Sequence, residues 1–215
     1  MEQREKGKVP EASGPALEER LAAARETDEC VRQGTFWGET FQNLDFCSLE
    51  WSQVRFEKCR FESCIFSGAS FYSVIFQSCS FSNCRFSNTY WQDSQLSSSK
   101  ADGTDFRKSR WKHSIILQTL LRYANFSESV WNGISLRDCN ICDAALSAMR
   151  IMKVELHQVN FTGSDFFRTQ LKGVDLSDCV IEGISVSESL QELKGATIDV
   201  TQASALAGLL GVHVV

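Results

Sequence analysis

The chain has 215 residues, with 22 Lys and Arg against 27 Asp and Glu and a net charge of −5. That length suffices for one domain with a sizeable core, the acidic balance disfavours direct binding to nucleic-acid phosphates, and no run approaches the roughly 20 apolar residues of a membrane span. The opening MEQREKGKVPEASG lacks the apolar stretch of a secretory signal, so the nine cysteines read as thiols of a reducing, cytoplasmic compartment.

In chain order, residues 1–13 read as a disordered charged tail. Residues 14–30 predict a short helix, with Pro15 in its first turn, Ser13 before it, and Leu17, Leu21 and Ala24 on one face. This helix is assigned as an N-terminal cap, because the bare end of a stacked fold offers unpaired strand edges.

From residue 31 to residue 190 a period of five governs the chain. Stepping by five from Phe36 meets a large apolar residue almost every time as far as Val186, and 14 of the 15 Phe and four of the 5 Trp fall in this register. Neither the 3.6 period of a helix nor the 2 of an ordinary strand accounts for it. A second register, two residues earlier, is small or compact: Cys59, Cys64, Ala69, Val74, Cys79, Ser94, Ser99, Thr104 and onward. One large and one small inward residue per pentad suits a narrow, dense interior. Gly38, Gly68, Gly103, Gly133, Gly163, Gly173 and Gly183 all come two places after the large residue, which marks a turn at each pentad end. Trp51, Trp91, Trp111 and Trp131 are separated by multiples of 20 residues, so four pentads make one coil. The spacing therefore predicts an all-β solenoid, a quadrilateral β-helix of about eight coils, roughly 35–40 Å long at about 4.8 Å per coil. Its core is predicted to include Phe61, Phe81, Trp91, Trp111, Phe126, Trp131 and Phe161.

Residues 191–215 break the period. Ser187 to Lys194 reads as a helical turn ending at Gly195, and Thr201 to Leu210 as an apolar helix, with a final Gly-Val-His-Val-Val after it. Ile198, Ala203, Leu206, Leu209, Leu210, Val212 and Val214 form an apolar set, for which a two-fold partner is the commonest cover; a tail folded back on its own end is the alternative.

With four faces per coil, outward residues can be placed. The face of Leu136, Leu156 and Leu176 carries Asp138, Glu155, Asp175 and Asp178 against Arg137 alone, while the adjoining face carries Arg110, Lys112, Arg150, Lys153 and Lys172. Residues 31–124 sum to +3 and residues 125–199 to −5, so the acidic half is the one beside the apolar tail. The four carboxylates are the candidate partner-binding residues, with an ordinary solvated surface as the alternative. Ile115, Leu117 and Leu120 make an outward apolar patch that is either a contact or a shield for neighbouring side chains. Cys139-Asn-Ile-Cys142 has C-x-x-C spacing, but the register turns one thiol inward and the other outward. His113, His157 and His213 are scattered, no phosphate-binding motif occurs, and a convex rod offers no substrate pocket. No enzyme activity, metal, cofactor, membrane contact or small-molecule substrate is expected.

Ala124-Asn125-Phe126-Ser127, Ser164-Asp165-Phe166 and Val174-Asp175-Leu176-Ser177 resemble the A(D/N)Lxx unit of pentapeptide-repeat proteins. The resemblance implies a right-handed β-helix. The C-terminal stretch from Gly195 through Ile198, Asp199, Gln202, Ala203 and Leu206 to Val214 is similar to the tail of the Qnr and MfpA-like quinolone-resistance proteins of that family. In them the tail caps the helix and joins two chains end to end. Their dimers imitate duplex DNA and bind the bacterial type II topoisomerases, DNA gyrase and topoisomerase IV. The resemblance thus implies a cytoplasmic homodimer that binds topoisomerase in place of DNA. The unbroken register from Phe36 to Val186 lacks the projecting loops of many members and matches the loop-free type. A scaffold or regulatory module with another protein partner, contacted through the apolar patch or Tyr72, Tyr90 and Tyr123, is the second expectation.

Overall fold

The computed structural model describes residues 30–209. Leu210, Val212, Val214 and nearly all of the expected cap helix lie outside the described residues. The chain winds in straight three-residue segments, such as Arg60–Glu62 and Ile75–Gln77, each with its large residue buried at the centre and its neighbours turned outward. The residue two places after the large one makes the corner. Its φ is +54° at Ser63, Ser73, Ser78 and Asn83 and +58° at Asn88, so the left-handed backbone recurs well beyond the glycines. Each such residue costs about 1–2 kcal/mol. Small polar side chains tolerate it best, and hydrogen bonds to the neighbouring coils hold it.

Successive coils stack in parallel with a 20-residue step, Trp51 beside Phe71 and Phe71 beside Trp91. The first face carries the column Trp51, Phe71, Trp91, Trp111, Trp131 and Ile151, and the second carries Phe56, Phe76, Leu96, Ile116, Leu136 and Leu156. Strands Val31–Trp37 and Glu50–Glu57 run round the corner between these faces and unite them in one twelve-stranded sheet. The third face has strands only at Thr40–Gln42, Arg60–Glu62 and Ser80–Ser82. From Ala101 onward the third and fourth faces are hydrogen-bonded turns, with Thr104 N donating to Ala101 O at 3.2 Å and Ser109 N to Phe106 O at 3.1 Å. An Asp or Asn before the large residue stabilises such turns: Asn125, Asp165 and Asp175 accept from the backbone N–H of Ser127, Phe167 and Ser177 at 3.0, 2.9 and 2.9 Å. That is the physical content of the A(D/N)Lxx unit.

Inside, rings lie plane to plane. Phe61 and Phe81 stack at 5.1 Å, Trp91 and Trp111 at 4.2 Å, and Phe106 and Phe126 at 4.8 Å. Phe61, Phe81, Trp91, Trp111, Phe126, Trp131 and Phe161 are all buried. The small register links the coils a second time. Ser94, Ser129 and Ser164 donate to the carbonyls of Phe71, Phe106 and Ile141 at 3.1, 2.9 and 2.6 Å. The thiols of Cys59 and Cys64 make the same contact with Phe36 and Phe41 at 3.4 Å. Ser94 and Ser99 also accept from the inward backbone N–H of Val74 and Cys79 at 3.0 Å, donors that the ladder would leave without a partner.

The C-terminal segment caps the last coil. Leu171, Gly173 and Leu176 donate to the carbonyls of Glu192, Gly195 and Thr197, each at 2.8 Å. A 3₁₀ turn at Gln191–Leu193 leads to helix α1, Val200–Leu209. Asp199 caps α1 by accepting from Gln202 N at 2.9 Å, and Gln202 Oε1 returns a bond from Asp199 N at 2.8 Å. The same glutamine donates to the carbonyls of Leu176 and Cys179 at 2.8 and 2.6 Å, tying the helix to the rod.

Candidate functional site

The fold turns Asp138, Glu155, Asp175 and Asp178 outward on adjoining coils, because each stands one or two places from an inward large residue. Their surroundings differ. Asp138 sits at a corner with φ +52° and has no ion pair among the described residues. Glu155 is 76% exposed at its side chain and lies 3.6 Å from Arg137 Nη2. Asp175 serves its own turn, and the side-chain and backbone hydrogen bonds from Ser177 hold its carboxyl below the usual range. Asp178 contacts His157 Nδ1 and accepts from Gln158 N at 3.3 Å. Arg137 is the basic residue paired on this face, and the 20-residue step also places the His157 imidazole beside Asp178. The face is acidic, and of its four carboxylates only Glu155 has an Arg or Lys within ion-pair distance among the described residues.

On the first face, Arg110, Lys112, Arg150, Lys153 and Lys172 reach solvent with no carboxylate within ion-pair distance among the described residues. Positive and negative strips thus run side by side over the later coils. Of the apolar patch, Ile115 is 42% exposed, while Leu117 and Leu120 are half-buried; Tyr123, at the corner after the next face, is 64% exposed.

The tail residues divide. Ile198 and Leu206 are half-buried against the rod, Ala203 is exposed, and Leu209 ends α1. Glu192, whose type predicts a surface position, is buried instead: its carboxylate accepts from Arg168 N at 2.9 Å and from Ser187 Oγ at 2.7 Å. Burial pushes that carboxyl up, but these hydrogen bonds outweigh it and hold the group low. The capping pair Asp199 and Gln202 is also missed by hydrophobic pattern, although its four-residue D-x-x-Q spacing is a readable signal.

None of the nine cysteines, all of them among the described residues, forms a disulfide. Cys59 lies against Cys79 and Cys64 against Cys84; the facing thiol, and then burial, push Cys79 and Cys84 up. Burial, with the nearby charge of Asp138, pushes Cys139 to about 11, and burial, with Asp178 and Asp175, pushes Cys179 to about 12. Among the described residues no group of three or more metal-ligating side chains occurs, and no helix is long and apolar enough to cross a membrane.

These features define a β-solenoid whose chemistry lies on its outer surface. A pentapeptide repeat region matches over residues 73–146 and pentapeptide repeats over residues 153–183. With the columns that continue around both stretches, the chain is a pentapeptide-repeat protein. Among solved structures, a trypsin-treated variant of QnrB1, a plasmid-mediated fluoroquinolone resistance protein, is 23% identical over 86% of this chain and 99% of that one, with a TM-score of 0.47. Another trypsin-treated variant is 22% identical over 87% and 100%, with a TM-score of 0.49. HetL, a pentapeptide repeat protein of heterocyst differentiation regulation from Nostoc sp. strain PCC 7120, is 12% identical over 82% and 90%, with a TM-score of 0.36. No curated protein sequence matches the chain.

Proposed function

We propose that this protein binds a bacterial type II topoisomerase, DNA gyrase or topoisomerase IV, by presenting a DNA-like rod to the enzyme's DNA groove. It does so in the cytoplasm as a homodimer joined through residues 198–214. The observation that carries this reading is the separation of charge along a rigid rod, +3 over residues 31–124 and −5 over residues 125–199, with the acidic half beside the tail. Two copies joined there place their negative halves at the centre of a longer rod. Fixed carboxylates then stand in for phosphates, and attraction to a basic groove falls steeply with salt. The similarity of the 195–214 tail to that of the Qnr-type proteins supports the same reading. Resistance to quinolones or to another topoisomerase poison is the physiological role it implies.

A supercoiling assay with purified gyrase and a salt series tests it. Inhibition at micromolar protein in low salt, fading as salt rises, is the expected result; no effect under those conditions rejects it. A scaffold role with a different protein partner is the second reading, favoured by the exposure of Ile115 and Tyr123. It predicts that reversing the acidic residues leaves partner binding intact.

A further inference from the structure

The ladder that joins each coil to the next stops once. Up to residue 157 the rungs are complete on the first two faces: Gly133 N donates to Met152 O and Asp138 N to His157 O, both at 3.0 Å, and Glu155 N donates back to Ile134 O at 3.0 Å. The same 20-residue step would next take Lys153 N to Lys172 O, Gln170 N to Met149 O and Asp175 N to Val154 O. Among the described residues none of these bonds forms. The third and fourth faces stay joined, with Phe161 N on Val180 O at 2.7 Å and Phe166 N on Ser185 O at 2.8 Å. The wall is therefore open across two adjoining faces, between residues 150–157 and 170–177. Side-chain clasps close its ends: Met149 N donates to Thr169 Oγ1 at 2.8 Å, and Asp178 holds His157 and Gln158 N.

On the earlier side of the opening the columns are partly uncovered, while Leu171, Val174 and Leu176 on the later side stay buried. Ile151, Val154 and Leu156 are half-buried, whereas Trp131, Ile134 and Leu136 one coil earlier are 2%, 1% and 0% exposed. Backbone donors and acceptors without partners, beside apolar side chains, form the kind of edge to which an extended strand adds. The rims specify its chemistry. Arg150, Lys153 and Lys172 border the first-face half, and Glu155, Asp175 and Asp178 the second-face half.

We propose that this opening receives an extended peptide of a partner protein. The peptide has about eight residues, enough to cross two faces. Two apolar side chains five apart enter between Ile151 and Leu171 and between Leu156 and Leu176. A carboxylate lies over the first face and a Lys or Arg over the second.

The test uses the full chain and hydrogen exchange. The probes are a blocked synthetic octapeptide of this pattern, with leucines at its second and seventh positions, and its isomer with the two charges exchanged. In the free protein the amides of Ile151, Lys153 and Leu156 exchange at least about tenfold faster than those of Trp131, Gly133 and Leu136. The patterned peptide slows them and the isomer slows them less. The surface variant Lys153→Glu/Lys172→Glu, which leaves the core untouched, narrows that difference, while Glu155, Asp175 and Asp178 still favour the cation over the second face. Equal exchange of the two amide sets in the free protein overturns the proposal, as does slowing by neither peptide or by both alike. Protection that grows with protein concentration alone assigns the opening to a second copy, and protection lost on deleting residues 210–215 assigns it to the chain's own end; each overturns it too.

Discussion

At Trp91 the indole Nε1 donates to Thr89 Oγ1 at 2.9 Å, and Thr89 in turn donates to Phe86 O at 2.6 Å. Trp111 does the same with Ser109 at 2.8 Å, while the buried indole nitrogens of Trp51 and Trp131 have no partner. Position −2 is Leu49 for Trp51, and for Trp131 it is Ser129, whose hydroxyl serves Phe106 O. Thr89→Val keeps the volume and orphans one indole and one carbonyl in the core. It should lower stability by about 1–3 kcal/mol, read as a shifted denaturation midpoint. The thiols offer a second residue-level expectation. Cys59, Cys64, Cys79, Cys84, Cys139 and Cys179 are buried, and Cys30, Cys47 and Cys142 are half-buried. Brief alkylation of the native protein, read by peptide mass, should therefore mark only the latter three, and all nine after unfolding. Residue identity reveals the inward columns because bulk recurs every fifth place. It does not reveal the hydroxyl links, since Ser94 or Ser129 reads equally as a small filler and as a donor. The left-handed corners are legible only where glycine holds them, and Ser63 or Asn88 adopts the same backbone without announcing it.

Among elements, the C-terminal cap is the part held most by polar contacts. The Gln202 side chain bonds both Asp199 N and two carbonyls of the last coil, so Gln202→Ala removes the return half of the capping pair and the helix's mooring together, while Asp199 keeps its bond from the backbone N–H of residue 202. Hydrogen exchange of residues 200–209 should speed up by about tenfold or more, with residues 51–136 unchanged. Acid should loosen the same region first. The carboxyls of Glu192 and Asp199 titrate below their ordinary values of 4.5 and 3.8 when folded. The unfolded chain therefore takes up protons more readily, and their contribution is complete above those values and is lost as the pH falls through the lowered ones. Exchange measured from pH 6 to pH 3 should show residues 187–209 losing protection before the aromatic coils, and Glu192→Gln should weaken that pH dependence. The position of α1 is legible from its apolar run and Gly195, but burial of Glu192 is not, because an isolated Glu reads as solvated until its partners on Arg168 and Ser187 are known.

For the whole rod, the decisive variable is where charge lies. Asp138 and Glu155 hold no turn, unlike Asp175, so Asp138→Lys/Glu155→Lys alters the surface without touching the backbone bonds. In the gyrase assay this variant should lose inhibition by at least about tenfold and flatten the salt dependence, while far-ultraviolet circular dichroism stays as in the parent. An unchanged response would favour the scaffold reading. The coil length and face assignment come from the 20-residue recurrence, so the strip of carboxylates is legible before any coordinates. The contact of His157 with Asp178 and the gap after residue 157 are not. Leu171 and Leu176 keep the pentad phase without a skip, and only the backbone partners show that two walls have parted.

That one-sided seam makes the rod's bending compliance anisotropic. Two walls continue past residue 160 as uninterrupted backbone, while the other two meet only through side-chain clasps, so the last coil and its cap can tilt about the intact pair of walls as a rigid flap does about its crease. Should two copies join at their tails, the angle between their long axes would then be set by how far each seam is splayed, which gives an otherwise stiff molecule one soft degree of freedom.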